Sequence, residues 1–161
     1  MYAGSFDPPH LGHLALIEQA SRFCSTLYVV AAGNPGKHGS GLFDLPGRRA
    51  LLAASTRHLS DVIALHHSGL IADLAIDLGV QVFIRGMGKE MASEFEMAAA
   101  NRQMSGVPTL FLSPEPATRW IASRRVRADY LRGGEAAVAE MVPVAVVEAL
   151  AARSVAQQGT V

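Results

Sequence analysis

Ala3-Gly4-Ser5-Phe6-Asp7-Pro8-Pro9-His10-Leu11-Gly12-His13 carries a short apolar start into a glycine turn, two prolines and a pair of histidines. Gly4 and Ser5 let the backbone turn tightly beside an anion, and Pro8 and Pro9 keep the chain extended until a helix can begin. A helix opening near His10 puts His13 one turn further on. Both rings then face the space where first-turn N–H groups and the helix dipole attract a polyphosphate. The stretch predicts a phosphate-binding elbow with imidazoles at its mouth; the plainer alternative is a strand–turn–helix corner whose histidines cap or lie exposed.

Working outward, Leu11, Leu14, Ile17, Ala20 and Phe23 recur at helical spacing, and Thr26 to Ala32 reads as a strand, so the first unit is β-α-β. A glycine-rich loop from Gly33 to Gly41 leads to a helix over about 45–58 and a strand over 61–65. A helix over 70–78 closes at Gly79, and the strand 80–84 carries Arg85-Gly86 at its carboxyl end, where such sheets bind ligands. A helix over 94–104, a strand over 108–113 and a helix over 122–131 complete the core. Gly133-Gly134 marks a break, and Val144, Val147, Leu150 and Ala151 predict one more packed helix. Only Met1 to Ala3 precede the first turn, fewer than the roughly five or six residues usual for a central strand, so the strand is short, the start codon is misplaced or a few upstream residues are absent from the sequence. Strands alternating with helices predict an α/β fold: a Rossmann-like, doubly wound parallel five-stranded sheet with helices on both faces. It forms a single domain over 1–161, with the core at 1–132, a C-terminal helical tail at 133–156 and a frayed end at 157–161. No GxGxxG follows the first strand, and Gly33-Asn34-Pro35-Gly36-Lys37-His38 lacks the spacing and the hydroxyl of a P-loop.

The chain has 161 residues, half of them hydrophobic, which suffices for a two-sided core. Its 14 basic and 14 acidic residues balance, which argues against a broad nucleic-acid or membrane-binding face and leaves room for a local basic pocket. Cys24 is the sole cysteine, so no internal disulfide or cysteine zinc cluster can form. It reads as a buried filler. With neither a basic-apolar leader nor a long apolar span visible, a cytoplasmic location is expected.

An elbow that holds a polyphosphate beside a second anion must screen their charge, so cations are expected to ring the strand ends. Lys37, Arg85, Arg124, Arg125 and Arg127 are the candidates, on segments that converge on His13. His66 and His67 end a strand without a carboxylate or cysteine at metal-site spacing and read as surface or pocket-wall residues; no protein-held metal site is expected. Met87, Met91, Met97 and Met104 read as packing or subunit-contact residues. Trp120 reads as an aromatic core anchor, with an adenine platform as its alternative.

GSFDPPHLGH resembles the (T/H)xGH nucleotidyltransferase superfamily, whose members join a nucleoside triphosphate to an acceptor oxygen and release pyrophosphate. The wider pattern, from Tyr2 to about Leu150, resembles the phosphopantetheine adenylyltransferases. It comprises the Asn-Pro-x-Lys loop leading to Phe43 and Arg48, Ser68-Gly69-Leu70, Arg85-Gly86, Glu94-Phe95-Glu96-Met97, Asn101-Arg102 and Trp120-Ile121-Ala122-Ser123. The resemblance implies adenylyl transfer from ATP, accompanied by Mg2+, to 4'-phosphopantetheine. It implies that His13 stabilises the transition state and that Lys37 and Arg85 hold the acceptor phosphate, with Ser5 at the junction. Gly4, Ser5, Phe6, His10, His13, Gly86, Glu96, Ser123 and Arg124 would bind the nucleotide; Ser5, Lys37, Leu70, Ile71 and Arg85 would bind the acceptor. It further implies a homo-oligomer, a hexamer by analogy, with the helix around Met97 at the subunit surface.

Three departures stand out, one of them in loop length: the loop before Glu94 is about two residues shorter than the family's and the lysine loop before Phe43 about two residues longer. Gly88 occupies the place of the family's second arginine in Arg-Gly-x-Arg, and Ala122-Ser123-Arg124 replaces a serine cluster, so Lys89 or Arg124 is the candidate to restore the charge. A full HxGH also suits relatives acting on nicotinate mononucleotide or making cytidylyl products, while the SGL and EFEM segments favour pantetheine. A related nucleotidyltransferase with another acceptor or nucleotide, and a non-catalytic nucleotide-binding homologue, therefore remain as alternatives.

Overall fold

A computed structural model describes residues 1–33, 41–88 and 91–158. Five parallel strands, β1 (Tyr2–Gly4), β2 (Leu27–Ala32), β3 (Val62–His67), β4 (Phe83–Gly86) and β5 (Thr109–Leu112), form one sheet in the order β3-β2-β1-β4-β5. The chain winds outward from β1 through β2 to β3, then returns to the other side of β1 for β4 and β5. The expected doubly wound α/β domain is what forms, and the reversal puts the carboxyl ends of β1 and β4 side by side at the switch point, where a crevice opens.

Among the described residues six α-helices accompany the strands: α1 (Leu11–Ser21), α2 (Leu45–Ser55), α3 (Ile71–Asp77), α4 (Met91–Ser105), α5 (Ser123–Gly133) and α6 (Val144–Gln158). Strand residues alternate between two cores, as a pleat buried on both faces requires. Val29, Ala31 and Ile84 pack under Leu16, Ile17 and Ala20 of α1 and Leu52 of α2. Ala3, Val30 and Phe83 pack on the opposite face with Ala75, and Ile71 and Leu74 of α3 close over them. A third cluster joins Val126 and Tyr130 of α5, Val138 of a short 3-10 helix (Glu135–Val138), and Val146 and Leu150 of α6 to Leu51 of α2. The C-terminal tail is thereby fastened to the core, and the Met141 carbonyl accepts the Leu11 N–H at 2.9 Å, at the start of α1.

The structure moves several expected boundaries. β1 spans three residues, and Met1 is buried with its carbonyl accepting the Ile84 N–H at 2.8 Å, so the ladder to β4 starts one residue earlier than the strand. β4 begins at Phe83 rather than Val80, because the Val80 N–H bonds back to the Ala75 carbonyl at 2.8 Å in the turn that ends α3, with Gly79 at φ 62°. Phe23 lies beyond the end of α1 and is exposed, although its spacing put it on the apolar face. In α4 the only buried residue is Asn101; Phe95, Met97 and Met104 are each exposed, as is Leu110 of β5.

Candidate active site

The crevice at the carboxyl ends of β1 and β4 is a cavity of about 700 Å3. Ser5, His10, His13, Gly86, Ser123 and Arg124 all line it, so six of the residues expected from sequence meet in one place. Such a volume lies within the range of small-molecule sites.

The two histidines hold each other. His10 is the extended N-cap of α1, at φ −139° and ψ 169°, and its Nδ1 accepts the His13 N–H at 3.3 Å. The His13 Nδ1 accepts the His10 N–H in return, also at 3.3 Å, so a reciprocal capping box is built from imidazoles instead of the usual hydroxyl and carboxamide. The rings stack with centroids 3.6 Å apart, and Phe6 stands edge-on to His13 at 4.8 Å. Because each Nδ1 accepts a backbone proton, the neutral ring carries its own proton on Nε2. Burial lowers the His10 pKa to about 4, and burial together with the neighbouring His10 lowers that of His13 well below the usual imidazole value. Both rings are therefore neutral Nε2–H donors at pH 7, at a helix N-terminus that already favours anions.

Gly12 explains the glycine between them. A Cβ there would stand 3.1 Å from the His10 ring and 3.2 Å from the Thr118 carbonyl oxygen. Its absence lets the 114–121 segment close against the first turn of α1 and bring its side chains to the histidines.

Asp7 anchors the elbow from beneath. Its buried carboxylate accepts the N–H groups of Leu42 at 3.1 Å and Phe43 at 3.0 Å and pairs with Arg48 at 3.4 Å and Arg127 at 3.9 Å. Arg127 also donates to the Asp7 carbonyl at 2.6 Å, Arg48 donates to the Ser5 carbonyl at 3.3 Å, and the Ser123 hydroxyl donates to the Pro8 carbonyl at 3.0 Å. Segments far apart in the chain thus clamp one turn, which contains a cis Asp7–Pro8 bond and Phe6 at φ 46°. That left-handed conformation is unusual for a bulky residue, and the fully buried Phe6 ring holds it.

Arg85 lies on β4 with its guanidinium turned toward β1: Nη1 donates to the Ala3 carbonyl at 3.0 Å and Nε pairs with Glu94 Oε2 at 2.5 Å. Tyr2, partly buried beside this pair and edge-on to Phe6 at 5.2 Å, has its pKa raised chiefly by desolvation. Glu94 and Tyr2 line the cavity, whereas Arg85 itself does not and reaches it only through its pair with Glu94. Sequence reasoning singled out Arg85 but missed Glu94 as the group that orients it; the nine-residue separation leaves no local signal.

Another side of the cavity is formed by the segment from Pro114 to Arg127, which contributes Arg119, Arg124, Arg125 and Arg127. The facing Gly86-Met87-Gly88 stretch adds no basic side chain to the lining among the described residues, and a Cβ on Gly88 would meet open space. Positive charge is concentrated on the α5 side. Trp120 corrects an expectation, for it is no core anchor: it is 47% exposed and lines the cavity.

Other expected site residues lie elsewhere. Phe6 is fully buried, so its side chain supports His13 from the core and does not reach a ligand. Gly4 is at the end of β1 under the Phe6 ring, outside the cavity lining. Glu96 is exposed on α4 and does not line the cavity. Leu70 is the exposed N-cap of α3, and Ile71 packs on the α3 core, both apart from the cavity lining. Lys37 and Lys89 lie outside the described residues. Cys24 is half-buried against the α1 core, and His66 is exposed. Among the described residues no group of three or more His, Cys, Asp or Glu could hold a metal ion, and no helix is long and apolar enough to cross a membrane.

Comparison with known proteins agrees with this geometry. The cytidylyltransferase-like family matches residues 1–129. The phosphopantetheine adenylyltransferase of Actinobacillus pleuropneumoniae serotype 3 (strain JL03) is 39% identical over 153 residues, covering 93% of this chain and 94% of that protein. The phosphopantetheine adenylyltransferase of Haemophilus influenzae (strain PittEE) is 38% identical over 156 residues, covering 95% and 97%. Among solved structures, Plasmodium falciparum nicotinic acid mononucleotide adenylyltransferase complexed with APC shares the fold at a TM-score of 0.57 and 12% identity, over 91% of this chain and 90% of that one. The lipopolysaccharide core biosynthesis protein of Thermoplasma volcanium GSS1 does so at a TM-score of 0.53 and 24% identity, over 71% and 93%. With relatives matched at this identity along nearly their whole length, and imidazoles and guanidiniums gathered at the sheet's switch point, the chain belongs to the phosphopantetheine adenylyltransferase family within the cytidylyltransferase-like proteins.

Proposed function

We propose that this protein transfers an adenylyl group from MgATP to 4'-phosphopantetheine, releasing dephospho-coenzyme A and pyrophosphate. The observation that carries the reading is the pair of neutral, mutually capped imidazoles at the start of α1, facing a cavity whose α5 side carries four arginines. Membership of the family, with relatives that bear this activity in their names, supplies the substrates.

In this reading an oxygen of the acceptor phosphate attacks the α-phosphorus, the bond from that phosphorus to the bridging oxygen breaks, and pyrophosphate leaves with the electron pair. The attacking oxygen is already ionised, so no general base is needed. The protein's task is to align two anions and to stabilise the charge on the non-bridging oxygens. The Nε2–H of His13 donates to an α-phosphate oxygen, with His10 beside it. Arg85, oriented by Glu94, and Lys37 hold the acceptor phosphate, with Ser5 between the two substrates. Ser123, Arg124 and Arg119 take the outer phosphates and follow them as they leave. Gly4 and Gly86 contribute backbone close to the nucleotide. Leu70 and Ile71 as pantetheine contacts, and Glu96 as an adenosine contact, would require α3 and α4 to approach the cavity on binding.

Mg2+ belongs to the nucleotide here. Glu94 is the one carboxylate lining the cavity among the described residues and is committed to Arg85, so the donor set suits an ion held by phosphates and water. The exposed apolar side chains Met97 and Met104 of α4 suit a homo-oligomer, a hexamer by analogy with the family, and a reaction fed by ATP is in keeping with the cytoplasm.

The test is pyrophosphate release from ATP or CTP paired in turn with 4'-phosphopantetheine, nicotinate mononucleotide and inorganic phosphate. Turnover confined to ATP with 4'-phosphopantetheine is expected. Turnover with another pair would reassign the acceptor or nucleotide, and nucleotide binding without turnover by any pair would make the protein a sensor.

A further inference from the structure

We infer that Arg153 of α6 is a positioning residue for the histidine elbow, acting through the peptide group between Leu42 and Phe43 on the carboxylate of Asp7. The inference rests on the adenylyl-transfer reading for its kinetic test only. Arg153 Nη1 donates to the Leu42 carbonyl at 2.8 Å. The N–H of that same peptide group, carried by Phe43, donates to Asp7 Oδ1 at 3.0 Å. The Leu42–Phe43 bond is trans, so its C=O and N–H point in opposite directions, and a guanidinium and a carboxylate stand at the two ends of one peptide dipole. A cation on the oxygen draws electron density through the amide and makes the N–H a stronger donor, so each bond strengthens the other. The backbone here lies directly against the acid: the Leu42 N–H reaches Asp7 Oδ2 at 3.1 Å, and a Cβ on Gly41 would stand 2.7 Å from that oxygen.

Asp7 stands three residues before His10, so the place of its carboxylate sets where the chain enters α1. A second tie from the tail beyond Gly134 lands on that helix, where the Met141 carbonyl accepts the Leu11 N–H at 2.9 Å. Val146 and Leu150 of α6 pack in one cluster with Leu42 and Leu51, and Leu11 and Phe43 close over it, which holds the helix in register with both ties. Arg153 itself is exposed and adds little to that packing; what it supplies is the bond to the Leu42 carbonyl. The His13 Nε2–H acts only when it is placed to within a fraction of an ångström of the oxygen that gathers charge, so slack in the elbow weakens the transition state more than it weakens substrate binding.

Arg153→Met keeps the apolar stem and removes the donor, whereas Arg153→Lys keeps a charged donor. The methionine enzyme should lose about tenfold in kcat with both KM values within about twofold of wild type, and the lysine enzyme should recover most of that loss. Tyr130→Phe is the control. It removes the hydroxyl that bonds the Leu150 carbonyl at 3.2 Å and Ser154 at 3.0 Å, so it loosens α6 without touching the Arg153–peptide–Asp7 line, and its kcat should stay within about twofold of wild type. In the unliganded protein the Phe43 amide proton, followed by NMR, should move upfield and exchange faster in Arg153→Met and keep its wild-type values in Tyr130→Phe. An unchanged kcat or an unchanged Phe43 amide in folded Arg153→Met overturns the inference, as does an equal loss of kcat in Tyr130→Phe, which would make Arg153 a fastening of the helix and nothing more. If no substrate pair is turned over, the adenylyl-transfer reading fails, and the Phe43 amide still decides whether Arg153 acts on Asp7.

Discussion

Replacing His13 by asparagine and, separately, by glutamine divides the two tasks of this ring. Its Nδ1 accepts the His10 N–H at 3.3 Å and caps α1, and its Nε2 is left to donate into the cleft. Asparagine sets an oxygen where Nδ1 was and can keep the cap, but has no donor as far out as Nε2. Glutamine carries an N–H to the Nε2 position and has no acceptor at Nδ1. Loss of a capping acceptor costs about 1 kcal/mol, and both variants give up the edge contact with Phe6, so that loss cancels in the comparison. Removal of one preorganised donor to a developing oxyanion costs about 100- to 1,000-fold in kcat. The asparagine enzyme should therefore unfold in urea at the higher midpoint of the two and lose at least about 100-fold in pyrophosphate release. The glutamine enzyme should be less stable by about 1 kcal/mol and retain more kcat. An asparagine enzyme turning over within threefold of wild type would refute the assignment of Nε2 as the donor.

Two further outcomes follow from the same geometry. His10, whose folded pKa is lowered to about 4 by burial, binds its proton more readily in the unfolded chain, and His13 is shifted in the same direction. Stability is therefore complete above the unfolded value near 6.5 and is lost as pH falls toward 4, with His10 alone accounting for about 3 kcal/mol. Urea midpoints measured from pH 4 to 8 should trace this loss, and a flat profile between pH 6.5 and 4.5 would contradict the burial of neutral rings. Asp7→Ala leaves Arg48, Arg127 and the N–H groups of Leu42 and Phe43 without their acceptor and should cost about 3 kcal/mol, the low end for a broken buried pair because both arginines are partly exposed. Chemical denaturation at unchanged m-value measures it, and a cost below 1 kcal/mol would show the elbow to be held by other contacts.

Much of the architecture was legible because the signals are local. Alternating strand and helix patterns, Gly79 at positive φ and the prolines before His10 act within a few residues, and they led to a parallel doubly wound sheet that the structure contains. The elbow was legible in part: the start of α1 at His10 was expected, but the reciprocal capping by the two histidines was only the plainer alternative there, and the structure shows it. Less legible were partners separated by long stretches of chain: Asp7 with Arg48 and Arg127, Arg85 with the Ala3 carbonyl, and Met141 with the start of α1. Trp120 shows the limit most clearly. An aromatic ahead of a helix looks like core, and only the closure of the 114–121 segment over Gly12 turns it toward the cavity.

By itself the sequence determined the secondary elements, the fold class and the imidazole pair at the start of α1, because backbone propensity, capping and hydrophobic period operate between near neighbours. The tertiary structure alone decided which cations meet at the crevice, which carboxylates hold them and which aromatic faces it. Those choices depend on strand order and on loops meeting at the sheet's switch point, where contacts join residues more than a hundred positions apart.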